Sequence, residues 1–411
     1  MKELKLHRVL QNRAHPQSGP GDSQTFRSQL PTILFLVLIF FLNFISRVVF
    51  SPLMPTIEAD LDLSHSEAGS LFLFISFGYF IALLGSGLIS SRLTHRRTIW
   101  LSALAVGLTL LAIAFSHSKW SMRAGLFITG LGAGIYLPSG LATITALISP
   151  RQWGKAIAIH ELAPNLGFVL APVLSEMFLI WLSWRQVLAL IGLCSFLVGI
   201  VYVCRGHGAE FAGESPSFQS FRKLWRERSF KIMLILFGLG ISSFLGVYTM
   251  LPLYLVTEHG LDRNLANMLV AASRIAGLGL VFLGGWATDR FGPKRTLAGV
   301  FLLTGFTTMS LGITSGYGLF VFVFIQPMFA VCFPPAALVA LSLIGPPGAR
   351  NVAVSFAIPS AFLIGGGVIP MVIGIMGDAG AFGLGIALVG GLIILASILP
   401  QYLQFPDKPI E

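Results

Sequence analysis

Arg47 and Arg274 each fall near the middle of a long apolar stretch, one in each half of the chain. A charged side chain at bilayer depth costs at least about 2.5 kcal/mol on insertion scales, so both are functional candidates by default. Arginine stays charged and presents a fork of donors matched to carboxylate, nitrate-like or phosphate groups. Two such forks with no acid nearby in sequence point to an anion; the alternative is that each pairs with an acid from another helix, Glu161 being the candidate. Asn43 precedes Arg47 by one helical turn and could orient its guanidinium or bind the same ligand. His160 and Glu161 are adjacent. Histidine titrates near neutrality and burial can tune a carboxyl toward it, so either could take a coupling proton; the alternative is an ion pair neutralised by Arg151 and Lys155.

The elements that must position these residues are set by composition. The 411 residues are 55% hydrophobic and only 11% charged, with a mean hydropathy of +0.82. That leaves too little polar surface for a soluble domain. Apolar runs of about 20 residues recur along nearly the whole chain, the length a helix needs to cross the hydrocarbon core. A membrane β-barrel would instead show short alternating segments. The expected architecture is all-α and polytopic: twelve transmembrane helices, near 31–57, 66–90, 98–116, 122–148, 154–178, 185–204, 231–257, 265–288, 296–314, 317–344, 351–376 and 381–401. They form two six-helix halves, 31–204 and 231–401. An amino-terminal tail (1–30), a linker (205–230) with the basic amphipathic stretch Phe218–Arg226, and a short tail (402–411) complete the chain.

The net charge of +10 does not describe a nucleic-acid face, because the bases sit in short loops between spans. Arg92, Arg96, Arg97, Arg151, Arg205, Arg290, Lys294 and Arg295 fall on one side, while Glu58, Asp60, Glu67, Glu258 and Asp378 fall on the other. By the positive-inside rule this predicts a protein integral to the cell membrane with both termini cytoplasmic. Cys194, Cys204 and Cys332 lie inside apolar segments without metal-like spacing, so neither a disulfide framework nor a zinc site is indicated. No metal cluster, nucleophile–base pair or nucleotide loop suggests an enzyme or a cofactor.

The two halves repeat one another. Gly87–Arg97 and Gly285–Arg295 each follow the second apolar run of a half. Pro52 and Glu58 match Pro252 and Glu258, and Pro138 and Pro164 match Pro334 and Pro359. Paired prolines mark broken helices at matched depths, where repeats enclose a pathway. The loop pattern G-x-x-x-D-R-x-G-x-[KR]-[KR], complete in the second copy, resembles the signature of the major facilitator superfamily of secondary transporters. Ser183-Trp184-Arg185 and the glycine run Gly130-x-Gly132-x-Gly134 agree with it.

That resemblance implies a central cavity between the halves, faced by Arg47 and Arg274, with Tyr136 and Tyr248 on cavity-lining helices and able to donate to an anion. It gives Arg92, Asp289, Arg290, Gly292 and Lys294 a gating role. In the first copy Ser91 replaces the acid and Thr94 the second glycine, which puts that half's latch in doubt. The expected function is alternating-access transport of a small anion, an organic acid or monocarboxylate, coupled to protons or to exchange, by a chain that works as a monomer among membrane lipids. The competing expectation is a proton-driven exporter of hydrophobic or cationic compounds. Its fifth-span pattern G-P-x-x-G-G survives only as Ala163-Pro164-Asn165-Leu166-Gly167-Phe168. A membrane receptor on the same fold is a third.

Overall fold

The computed structural model describes residues 22–213, 222, 224–277, 279–344 and 350–405. Among these residues there is no strand, and twelve helical spans are long and apolar enough to cross a membrane. They are α1 (Phe26–Leu61), α2 (His65–Leu93), α3 (His95–Ala114), α4 (Lys119–Leu147), α5 (Pro150–Leu179), α6 (Trp184–Arg205), α7 (Arg228–Thr257), α8 (Arg263–Phe291), α9 (Pro293–Ile313), α10 (Tyr317–Ser342), α11 (Val352–Asp378) and α12 (Phe382–Tyr402). Helices are the solution that lipid enforces on such a chain, because each satisfies its own backbone where no water can. Local chemistry sets where they start. Ser64 with Glu67 opens α2 and Ser183 with Gln186 opens α6, each through a reciprocal capping box. An even number of spans brings the first and last described helical ends to one end of the bundle, called here the terminal end; the opposite end is the distal end. Most of the basic linker stretch Phe218–Arg226 lies outside the described residues.

The expected proline breaks are present in four of the six helices. The α-helical pattern is interrupted at Val49, Ile135, Glu161 and Val331–Cys332, two or three residues before Pro52, Pro138, Pro164 and Pro334. A proline ring crowds the carbonyl four residues back and contributes no N–H, so the turn that precedes it opens. Pro252 and Pro359 behave differently. They sit in α-helical segments, and the irregularity in those spans is a wide π-type turn, Ser242–Gly246 in α7 and Ile364–Val368 in α11. The two wide turns pack on each other: a Cβ on Gly246 would fall 2.4 Å from the Gly365 carbonyl oxygen, and one on Gly365 2.5 Å from the Ser242 nitrogen. Close packing is what these glycines serve.

Within each half, glycines bring helices into backbone contact. Gly130 and Gly134 of α4 rest on Ile75 and Tyr79 of α2, and Gly305 of α9 meets Gly390 of α12. Between the halves, α2 runs along α11, α5 along α8 and α1 along α7. The α2–α11 contact is tight toward the distal end, where Gly69 meets the Pro370 carbonyl and Gly374 meets the His65 carbonyl.

The two loop signatures share one backbone shape. Gly292 has φ 81° and ψ 158°, and Thr94 has φ 90° and ψ 154°. The first copy has therefore kept a conformation that suits glycine while placing a β-branched residue in it. Thr94 gains a cap in return, its hydroxyl accepting from the Arg97 N–H.

Candidate functional site

Arg47 reaches from α1 into a chamber between the halves lined by Phe44, Ser76, Tyr79, Leu245, Thr249 and Phe362, among others. Its guanidinium lies 4.1 Å from the Tyr79 ring centre, 5.1 Å from Phe44 and 5.7 Å from Phe362. It forms no ion pair among the described residues, and its Nε has no hydrogen-bond partner. Arg274, on α8, occupies a second chamber with Asn165, Phe168, Phe244, Pro327 and Val331. Its guanidinium sits over Tyr248 (4.6 Å), Phe168 (4.9 Å) and Phe244 (5.3 Å). Its Nη2 donates to the Phe244 carbonyl at 3.0 Å, inside the wide turn of α7 where the regular ladder is interrupted.

The two sites are built alike. Each guanidinium is faced by rings instead of carboxylates, and each touches a ring from the opposite half: Phe362 of α11 for Arg47, Phe168 of α5 for Arg274. Phe44 of the first chamber and Phe168 of the second meet edge to face, ring centres 4.9 Å apart. Cation–π contact offsets part of the cost of holding an arginine there without supplying the hydrogen bonds its fork can make. The alternative pairing of these arginines with Glu161 does not occur: Glu161 is half exposed and its carboxylate meets His160 at 3.4 Å.

Other expected site residues turn elsewhere. Asn43 does not orient Arg47; its Nδ2 donates to Ser102 Oγ and the Ala133 carbonyl, both 3.1 Å, inside the first half. Tyr136 is fully buried in the same half, donating to the Leu36 carbonyl at 2.7 Å and meeting His160 Nε2 at 3.1 Å. His160 stacks on Phe40, ring centres 4.4 Å apart. Tyr248 does reach the interface: its ring lies under Arg274, though its hydroxyl donates to the Phe168 carbonyl at 3.2 Å. Gln326 is committed to the Ser243 carbonyl and Thr308.

One acid at the interface lies outside the residues that the sequence singles out. Glu176 of α5, 4% exposed, sits near the distal end and engages α8 of the other half. It takes both Arg263 Nε (2.9 Å) and Nη2 (3.1 Å), and Asn267 Nδ2 at 2.6 Å. Arg263 also reaches Thr56 of α1, and Asn267 donates to the Pro52 carbonyl. An acid within an apolar span was the signal available. A second clasp lies close by. Asp378, at the end of α11, accepts the His65 N–H (2.7 Å) and Ser66 N–H (3.2 Å) at the start of α2, where the helix dipole favours a carboxylate. Each half thus contributes one acid that holds the amino-terminal end of a helix of the other.

At the terminal end the residues to which the resemblance gives a gating role stand apart. Arg92, Asp289 and Arg290 are exposed, and Asp289 has no ion pair among the described residues. Lys294 lies 5.2 Å from the Phe405 ring. The first loop is covered by the start of the linker instead. His95 N–H donates to the Phe211 carbonyl, Arg96 N–H to the Ala209 carbonyl, and Gly213 N–H to the Ser90 carbonyl, while Arg96 pairs with Glu210 at 2.8 Å.

The chain is similar to known proteins in sequence over about two thirds of its length and in fold over more of it. It is 24% identical over 295 residues to the "Probable L-galactonate transporter" of Escherichia coli K12, covering 67% of this chain and 65% of that one. To the "Niacin transporter NiaP" of Acinetobacter baylyi it is 25% identical over 287 residues, covering 60% and 64%. The chain therefore spans a little under two thirds of the length of both relatives. Its fold superposes with a TM-score of 0.78, at 18% identity and over 94% of this chain and 97% of the other, on a bacterial homologue of the human lysosomal transporter Spinster. The profile of the Major Facilitator Superfamily matches residues 36–284 and 247–411, taking in both repeats and the signature that ends the second span of each. With twelve spans, two matched halves and the complete loop pattern at Gly285–Arg295, the chain belongs to the Major Facilitator Superfamily of secondary transporters.

Proposed function

We propose that this protein carries a small organic-acid anion across the cell membrane by alternating access, with both termini cytoplasmic. The observation that carries this reading is the pair of arginines held between the halves with rings around them and, among the described residues, no carboxylate paired with either. A cation kept at that depth without a counter-ion is costly, and an anionic substrate would supply the missing hydrogen bonds and charge. One arginine comes from each half, so an anion bound by both would draw the halves together, which is how binding energy can drive closure. Two relatives carry names of organic-acid transporters, which supports the class without fixing the member.

The clasps of Glu176 and Asp378 hold the distal end together, and Asp289 has no ion pair among the described residues at the terminal end. In the proposed topology this is a state closed to the outside. The coupling proton, where transport is not by exchange, is assigned to His160 and Glu161, which meet where α5 breaks, the carboxylate half exposed and the ring buried. Counterflow in proteoliposomes tests the proposal. Vesicles loaded with an unlabelled carboxylate should take up the labelled form, and organic cations should not support exchange; exchange of cations with none of carboxylates would favour the exporter.

A further inference from the structure

Building on the carrier reading, we infer that the substrate is a monocarboxylate borne on a planar aromatic ring, of the benzoate or nicotinate kind, in preference to a polyhydroxylated acid such as galactonate or glucuronate.

The argument starts from the hydrogen-bonding groups that the chambers offer. A sugar acid brings a hydroxyl on nearly every carbon, and each one buried without a partner weakens binding. Around Arg274, Asn165 is the one uncharged polar side chain lining the chamber among the described residues, and its Nδ2 already donates to the Glu161 carbonyl at 2.8 Å. Around Arg47 the polar side chains are Ser76, Tyr79 and Thr249, and the Thr249 hydroxyl is spent on the Gly246 carbonyl. The amides and phenols that could have read sugar hydroxyls are used inside the protein: Asn43 on Ser102, Gln326 on Ser243 and Tyr248 on Phe168. Beside the two guanidinium forks, what remains is the Ser76 and Tyr79 hydroxyls around Arg47, the Asn165 Oδ1 around Arg274 and apolar walls, fewer groups than the hydroxyls of a sugar acid require.

Those walls are largely aromatic, and their rings interlock. Phe44 meets Phe168 edge to face, and Phe168 meets both Phe244 and Tyr248 in the same manner, with centres 4.8–4.9 Å apart. A substrate ring can join such an array, stacking or meeting edges as the side chains do, while its carboxylate takes a fork. Shape points the same way. Each chamber now offers about 20 Å³, room for about one water. A ligand must therefore part the halves or swing Phe168 aside, and a flat ring is the ring shape that needs the least of either.

The test is binding to the full-length protein purified in detergent, measured by calorimetry for benzoate, nicotinate, cyclohexanecarboxylate, galactonate and glucuronate. Benzoate or nicotinate is expected to bind at least about tenfold more tightly than either sugar acid, and more tightly than the puckered cyclohexanecarboxylate. Phe168→Leu should narrow the ratio between aromatic and sugar acids. A sugar acid that binds as well as or better than the aromatic acids would overturn the substrate class while leaving the carrier reading intact. Cyclohexanecarboxylate binding as tightly as benzoate would overturn the aromatic requirement. Binding of none of the five would overturn both readings.

Discussion

Glu176 and Arg263 form a two-pronged ion pair across the halves, Nε to Oε1 at 2.9 Å and Nη2 to Oε2 at 3.1 Å. The carboxylate is 4% exposed and the guanidinium 37% exposed, so one charge is desolvated and the other still sees solvent. The pair forms only when the distal ends of α5 and α8 are together. Glu176→Gln should favour the distal-open arrangement, since a hydrogen bond to a charged group contributes about 1.5–3 kcal/mol. A cysteine placed at Thr56, with the three native cysteines replaced, should then react with a membrane-impermeant reagent about tenfold faster. The exchange of charges, Glu176→Arg with Arg263→Glu, should bring the rate back toward that of the parent. Unchanged labelling in Glu176→Gln would show that the pair does not hold the gate.

Thr94 carries a glycine-like backbone without being glycine. Non-glycine residues in sparsely populated backbone regions cost about 1–3 kcal/mol, and at an N-cap glycine is only a few tenths poorer than threonine. Thr94→Gly is therefore expected to raise the melting temperature in detergent, by a gain of about 1 kcal/mol. The matched change Gly292→Thr should lower it. A lower melting temperature for Thr94→Gly would mean that the Thr94 hydroxyl cap outweighs the strain.

Asn43 serves the fold and not the ligand. Asn43→Ala leaves Ser102 and the Ala133 carbonyl without their amide partner, at a cost of about 1–3 kcal/mol. Stability should fall by that order while KM for the transported acid stays within about twofold, a change of about 0.4 kcal/mol or less. A raised KM with unchanged melting would place Asn43 at the substrate after all.

Tyr248 contributes its ring to Arg274 and its hydroxyl to the Phe168 carbonyl. Tyr248→Phe keeps the ring, so uptake should persist with a stability loss of about 1 kcal/mol. Abolished uptake in a well-folded Tyr248→Phe protein would assign the phenol to the substrate.

Much of this architecture was legible in the chain because lipid removes alternatives. Twelve apolar runs must be twelve helices, and paired prolines and loop signatures give the two halves. The expensive arginines stood out for the same reason, since little else in an apolar run carries charge. Neighbours across helices were harder. Asn43 and Arg47 are four residues apart, yet four residues turn a helix about 40° past a full revolution. That rotation is enough to aim Asn43 at α3 and α4 while Arg47 faces α2 and α11. The family resemblance places Tyr136 on a cavity-lining helix, and only packing shows that its ring points toward α1. Glu176 lies close to the end of its span, where an acid is cheap, and its partners are about 90 residues away in sequence. The break expected at Pro252 became a wide turn preceding it, because the Gly246 backbone must fit against Gly365 of another helix.

The central claim is that Arg47 and Arg274 hold the transported anion. It is tested most directly by uptake of labelled nicotinate and galactonate into proteoliposomes containing the wild-type protein, Arg47→Gln or Arg274→Gln, with the melting temperature of each recorded. Truncating one partner of a buried charged contact costs about 2–5 kcal/mol, so each variant should lose at least about thirtyfold in kcat/KM for whichever acid the wild type carries, while remaining folded. Wild-type uptake of either acid that survives undiminished in both variants would contradict the account.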